Sequence, residues 1–258
     1  MKIFFAVSNS AYLNLVLKYP NTNILVSYHY KNAIKNGATL QTIKNNGSSF
    51  FLDSGAFSAS TLGIKIDINN YIKFIQSNIN NIDYYAGLDD ISNYKNTLSN
   101  NRLMEKEGLK PLITFHYGEP IELLKDYLSE YNHICLGGVV GKSRKVKIKW
   151  LDNLYARVIS EFDNKKIHMF GVADKVILER YPFYSADAAS EGLRAAFGIS
   201  AYGINKMPKK TLNFMKHKDF KNGLERFESF IPGKLAMEKY LSDLWELRNI
   251  KKKLNKNQ

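Results

Sequence analysis

A single cysteine, Cys135, among 258 residues leaves no partner for an internal disulfide and no thiolates for a multi-cysteine zinc site. It stands in an apolar run, which marks it as core and points to a reducing compartment. The five histidines, His29, His116, His133, His168 and His217, are dispersed and lack a ligand spacing such as H-x-x-x-H, so neither a metal nor any other cofactor is expected. No apolar run is long enough to span a bilayer, and Met1–Val7 is too short for a secretory signal before polar Ser8-Asn9-Ser10. The chain is therefore expected to be soluble and cytoplasmic, with no membrane partner. No internal repeat is visible.

What the chain does have is apolar mass and positive charge. With 45% hydrophobic and 24% charged residues, it suits one large globular domain with at most a small appendage. The net charge of +13 is concentrated in three segments. Lys142–Lys149 carries five basic residues, Lys206–Asn222 six lysines against one aspartate, and Gly233–Gln258 seven basic against three acidic residues. Such confinement fits contact with a phosphate backbone; solvated helix faces give the same pattern, and charge alone does not separate the two.

Short β-rich runs alternate with segments of helical period. Eight runs stand out: Lys2–Val7, Asn23–Tyr28, Ser49–Asp53, Asp83–Asp89, Pro111–His116, His133–Gly138, Lys166–Val172 and Pro182–Asp187. Helical stretches such as Ile68–Gln76, Ile121–Tyr131 and Val146–Phe162 lie between them. Eight βα units predict an α/β fold of the (β/α)8 TIM-like barrel kind, distorted because the chain is short, with an open doubly wound sheet as the alternative. The barrel is expected over residues 1–200, followed over 201–258 by a basic segment and a closing helix. Leu235, Met237, Tyr240, Leu241, Leu244, Trp245 and Ile250 give that helix an apolar face to pack on the barrel.

Active sites of such barrels lie where the strands end. Here the strands are expected to end at Asp53, at Asp89-Asp90, at His116-Tyr117-Gly118, at Gly137-Gly138, at Gly171 and at Asp187. Any one of these could be a helix cap or turn residue; six at one rim point to a site.

These strand ends carry a resemblance. Leu52-Asp53-Ser54-Gly55-Ala56-Phe57-Ser58 resembles the D-S-G-G-[FY]-Q motif of the tRNA-guanine transglycosylase superfamily. Ala86-Gly87-Leu88-Asp89-Asp90 resembles its base-recognising acidic strand end, Leu136-Gly137-Gly138 its I-G-G loop, and Met169-Phe170-Gly171-Val172 its M-G-V. Ser185-Ala186-Asp187-Ala188-Ala189-Ser190 resembles its nucleophile segment. The motifs keep their order over about residues 50 to 190, and the chain looks most like the short relatives, from phages and bacteria, that insert 7-deazaguanines into DNA.

The resemblance implies exchange of guanine in DNA for a 7-deazaguanine (preQ0-like) base through a covalent glycosyl-aspartate. Asp187 would be the nucleophile and Asp53 the general acid and base. Asp89 would read the guanine edge, Phe57 would stack on the base and Met169 cover its other face. Gly138 would offer a backbone N–H, with Gly137, Gly171 and His116 also against the base. Asp90 reads instead as a cap of the next helix.

The chain departs from the superfamily in lacking the cysteine-rich zinc site of the tRNA enzymes and in carrying Ser190-Glu191-Gly192 where basic and aromatic residues are usual. Lys142, Arg144, Lys145, Lys209, Lys210, Lys216 and Lys218 would instead meet the nucleic-acid backbone, together with the C-terminal Lys251-Lys252-Lys253. A compact, zinc-free, basic chain fits DNA with a flipped nucleotide better than folded tRNA. The same chemistry on tRNA stays open, as do a silent subunit that binds nucleic acid beside a catalytic partner and an unrelated barrel hydrolase. Relatives of this shape often pair, which leaves a homodimer or partner subunit open. The Asn- and Lys-rich composition fits an AT-rich genome such as a phage's, which would place the protein in the host cytoplasm.

Overall fold

The computed structural model describes residues 1–34, 36–162, 164–189 and 223–256. Its eight strands are β1 (Lys2–Val7), β2 (Asn23–Ser27), β3 (Ser49–Asp53), β4 (Tyr84–Tyr85), β5 (Thr114–His116), β6 (His133–Gly137), β7 (Lys166–Met169) and β8 (Ser185–Ala188). All pair in parallel, in the order β4-β3-β2-β1-β8-β7-β6-β5. A parallel bridge between Ala86 and Leu112 joins the two ends of this order, held by Gly87 N–H to Leu112 O and Leu112 N–H to Tyr85 O, each 2.9 Å. The fold is a (β/α)8 barrel, thinnest where β4 meets β5.

Strand alternation sorts the side chains into two layers. Phe4, Leu25, Phe51, Ala86 and Cys135 fill the interior, with Cys135 buried as a free thiol. Ile3, Phe5 and Val7 of β1 and Ile167 and Met169 of β7 face outward into the layer between strands and helices. β2 is buried along its whole length, as a parallel strand covered on both faces must be.

The helices are α1 (Ser10–Val16), α2 (Asn36–Asn45), α3 (Ala56–Thr61), α4 (Ile68–Asn78), α5 (Tyr94–Lys106), α6 (Ile121–Glu130), α7 (Arg144–Arg157), α8 (Lys175–Arg180) and α9 (Gly223–Lys256). Several start where a short polar side chain accepts a backbone N–H of the first turn: Asn9 from Tyr12, Asp67 from Asn70, Ser143 from Val146 and Asp174 from Val176. α9 lies against both α1 and α8. Phe227 stacks on Tyr12 at 4.1 Å, the Trp245 indole N–H donates to Leu178 O at 2.9 Å, and Glu238 accepts from Ile3 N–H and the Asn23 amide. α9 packs beside β1, between α1 and α8. Of its expected apolar face, Met237 and Leu241 are buried while Tyr240 is 43% exposed. Among the described residues, no helix is long and apolar enough to cross a membrane.

Several strands are shorter than the sequence suggests, and the shortening shapes the site. β4 stops at Tyr85 and the last ladder bond is that of Gly87, so Leu88-Asp89 leave the ladder and Asp89 is carried over the barrel mouth. β6 ends before Gly138 and β7 before Gly171, two glycines at φ +74 and +68. A Cβ at 138 would meet Tyr117 N at 2.9 Å, so this turn needs a residue without a side chain.

Candidate active site

Three carboxylates meet at the C-terminal ends of the strands. Asp53 ends β3, and Gly55, at φ +81, turns the chain so that its N–H donates to Asp53 Oδ2 at 3.2 Å. The Asp53 carboxyl is enclosed, and Asp89 and Asp187 add their repulsion. Burial first, then these two neighbours, push its pKa up to about 7, which the Gly55 N–H only partly offsets. A carboxyl poised there can both give and take a proton near neutrality.

Asp187, on β8, is 6% exposed. Its Oδ1 accepts from Gly171 N–H at 3.1 Å and lies 3.3 Å from His168 Nε2. The Gly171 N–H and the His168 ring thus meet the same oxygen of Asp187.

Asp89 is held by His116, whose Nε2 lies 3.4 Å from Asp89 Oδ2. On its other side, His116 Nδ1 is 3.2 Å from Glu119 Oε1, and its backbone N–H donates to Glu119 Oε2 at 2.8 Å. Burial alone would lower this histidine's pKa, but Asp89 and Glu119 outweigh it and raise it to about 10, so the ring is an imidazolium between two anions. Gly137 makes room for it, since a Cβ there would come within 3.3 Å of the ring. The side chain of Asp89 is only 8% exposed, yet its Oδ1 has no hydrogen-bond partner among the described residues. A buried anionic oxygen without a donor is costly, and its natural complement is an N–H brought by a ligand. Asp89 also lines a cavity of about 760 Å³ beside the mouth, with Ser60, Lys65, Leu88, Asn96 and Asn100 on its walls.

The other expected site residues fall in different places. Phe57, in the first turn of α3, is 54% exposed at the rim. Asp90 accepts from Ser92 and Asn96 at the start of α5, although the cap itself is Asn93. His116 is tied to Asp89 and Glu119 rather than aimed at a base. Met169 corrects the expectation: it is fully buried in the outer layer, because the period of two turns its side chain away from the axis. Its neighbours His168 and Phe170 face inward instead, and the same period in the sequence could have placed them there. Glu119, three residues past His116, had no signal beyond its proximity.

Of the basic residues, Lys142 lies 4.0 Å from the centre of the Tyr117 ring, and Lys145 is exposed. Arg144 is paired with Asp174 at 2.6 Å, so it reaches a phosphate only by giving up that partner. Lys209, Lys210, Lys216 and Lys218 lie outside the described residues. Among the described residues, no three His, Cys, Asp or Glu side chains are grouped to hold a metal.

Fold and site together define a (β/α)8 barrel with a buried acidic mouth, the architecture in which enzymes place their chemistry at the strand ends. No family model and no curated protein matches the sequence. Among solved structures, the chain is similar to a protein assigned as a fructose-1,6-bisphosphate aldolase from Coccidioides immitis (TM-score 0.56, 9% identity, 92% of this chain and 89% of that one). It is also similar to the tryptophan synthase α-subunit of Pyrococcus furiosus (0.53, 12%, 91% and 97%) and to the YdjI aldolase of Escherichia coli K12 (0.54, 8%, 92% and 90%). At these identities the likeness shows the barrel and nothing of the reaction.

Proposed function

We propose that this protein is a base-exchanging transglycosylase that replaces guanine in DNA with a 7-deazaguanine. The observation that carries the reading is the buried Asp89 Oδ1, without a partner among the described residues and set beside Asp53 and Asp187. Guanine and 7-deazaguanines present N1–H and an exocyclic amine on the edge that such an oxygen would accept from; adenine presents an acceptor at N1 and would be repelled. The ordered motifs that resemble the transglycosylase superfamily support the same assignment.

In the exchange, an oxygen of Asp187 forms a bond to C1′ of the target nucleotide as the C1′–N9 bond breaks. The electron pair leaves with the base, which takes a proton from Asp53. The incoming base then loses its ring N–H proton to Asp53, its nitrogen bonds C1′, and Asp187 departs as a carboxylate. Two displacements at C1′ retain configuration. The target nucleotide must be flipped to reach the mouth, and Phe57 at the rim suits stacking on a base. Lys142 and Lys145 suit the adjacent phosphates.

Transfer of radiolabelled guanine into duplex DNA, with tRNA in parallel and Asp187→Ala as control, tests the reading. Asp187-dependent label in DNA is the expected result. Label in tRNA alone would move the substrate to RNA, and no label in either would overturn base exchange.

A further inference from the structure

β7 turns His168 and Phe170 to the barrel axis while Ile167 and Met169 pack outward. His168 is wholly buried, with the rings of Phe4, Phe51 and Phe170 centred 5.8, 4.6 and 4.5 Å away. Three aromatic neighbours hold the imidazole in one orientation. Its two nitrogens have different partners: Nδ1 is 2.8 Å from Ser185 Oγ, and Nε2 is 3.3 Å from Asp187 Oδ1. Ser185 and Asp187 are two apart on β8, so both face the axis and grip one ring. A carboxylate can only accept, so the proton belongs on Nε2, and the Ser185 hydroxyl donates to Nδ1. Gly171 brings its N–H to the same carboxylate oxygen. A side chain at 171 would meet Val140 at 2.9 Å on a backbone of φ +68, so this donor depends on glycine. Both N–H groups engage Oδ1, and no donor from the described residues meets Oδ2.

We propose that His168, fixed as its Nε2–H tautomer by Ser185, is a positioning residue that with the Gly171 N–H occupies Asp187 Oδ1 and so selects Oδ2 as the oxygen that bonds the sugar. The inference rests on the base-exchange reading. In the glycosyl-enzyme, Oδ1 is then the carbonyl oxygen of an ester to C1′. As the incoming base displaces Asp187, the C1′–Oδ2 pair returns to the carboxylate, and negative charge grows on Oδ1 where the two donors already wait. Their greatest effect therefore falls on the second displacement.

The test compares His168→Phe, which keeps the aromatic packing and removes the donor, with His168→Gln, which restores an N–H at similar reach. His168→Phe is expected to lower kcat for exchange about 100-fold, with KM for DNA little changed, and to accumulate a covalent protein–DNA species that survives denaturation. His168→Gln is expected to recover the rate to within about tenfold of wild type. Equal losses in both variants, or a His168→Phe protein as fast as wild type, would overturn the inference. In parallel, nitrogen NMR of the full-length protein with labelled histidine should show His168 as the Nε2–H tautomer, perturbed by Asp187→Ala; an Nδ1–H tautomer would overturn it without any turnover. Loss of exchange in the wild-type protein itself would instead overturn the reading beneath it.

Discussion

The two ends of this barrel bury titratable groups in opposite ways. At the strand C-termini, Asp53, Asp89 and Asp187 crowd together, the pKa of Asp53 rises to about 7, and Asp89 Oδ1 has no donor among the described residues. At the strand N-termini, His133 sits between Tyr84 and Tyr184, whose hydroxyls share a 2.9 Å hydrogen bond. Lys2 and Lys166 lie over those two rings. Burial first, then the neighbouring His168 and Lys166, lower the His133 pKa to about 3, so the lower ring stays neutral. One end keeps like charges together at a cost to stability; the other removes charge from the interior and fills the space with rings. Such crowding of like charge is what singles out the upper end as the candidate site.

The largest test of this contrast is Asp187→Ala, expected to reduce base exchange on the order of 10⁴-fold and to abolish any covalent DNA adduct, as labelled-guanine transfer would show. Asp89→Asn should lower kcat/KM for a guanine-type base by about 100-fold, because an amide presents a donor where the base also donates. Adenine-type bases should gain relative to guanine in the same assay.

The pH dependence of folding separates the ends further. Asp53 has its pKa raised from 3.8 to about 7 in the folded state, so the native protein holds a proton that the unfolded chain loses first. Its contribution to stability falls as pH rises from about 4 to about 7, and Asp53→Asn should raise the melting temperature more at pH 8 than at pH 4. His133 has the opposite sign. Its pKa is depressed from 6.5 to about 3, so the stability it contributes is lost as pH falls through that window. A His133→Phe protein should lose less stability than wild type between pH 6.5 and 4, while its exchange rate at pH 7 stays unchanged. Failure of that last point would mean that the lower end takes part in the chemistry. The smallest effect is expected for Tyr184→Phe, which removes one hydroxyl contact: about 1 kcal/mol, or roughly 2–4 °C in melting temperature, with no change in activity.

The eight strands, their parallel arrangement and the aspartates at their ends were legible in the order of the amino acids. Those features follow from local rules: a period of two against a period of 3.6, and polar residues where apolar runs stop. Which of the residues between them face the axis, and which atoms lack partners among the described residues, emerged only once the strands were packed together. Met169 looked like a site residue by motif and points outward, whereas His168, which no motif singled out, lies 3.3 Å from Asp187. α9 was expected to close on the barrel by its apolar face, but that it does so between α1 and α8 is visible only in the folded chain. The reason is physical. A strand's direction is set by its own residues, but its rotation about its axis, and the charge that each carboxylate feels from the others, are set by neighbours many residues away in the chain.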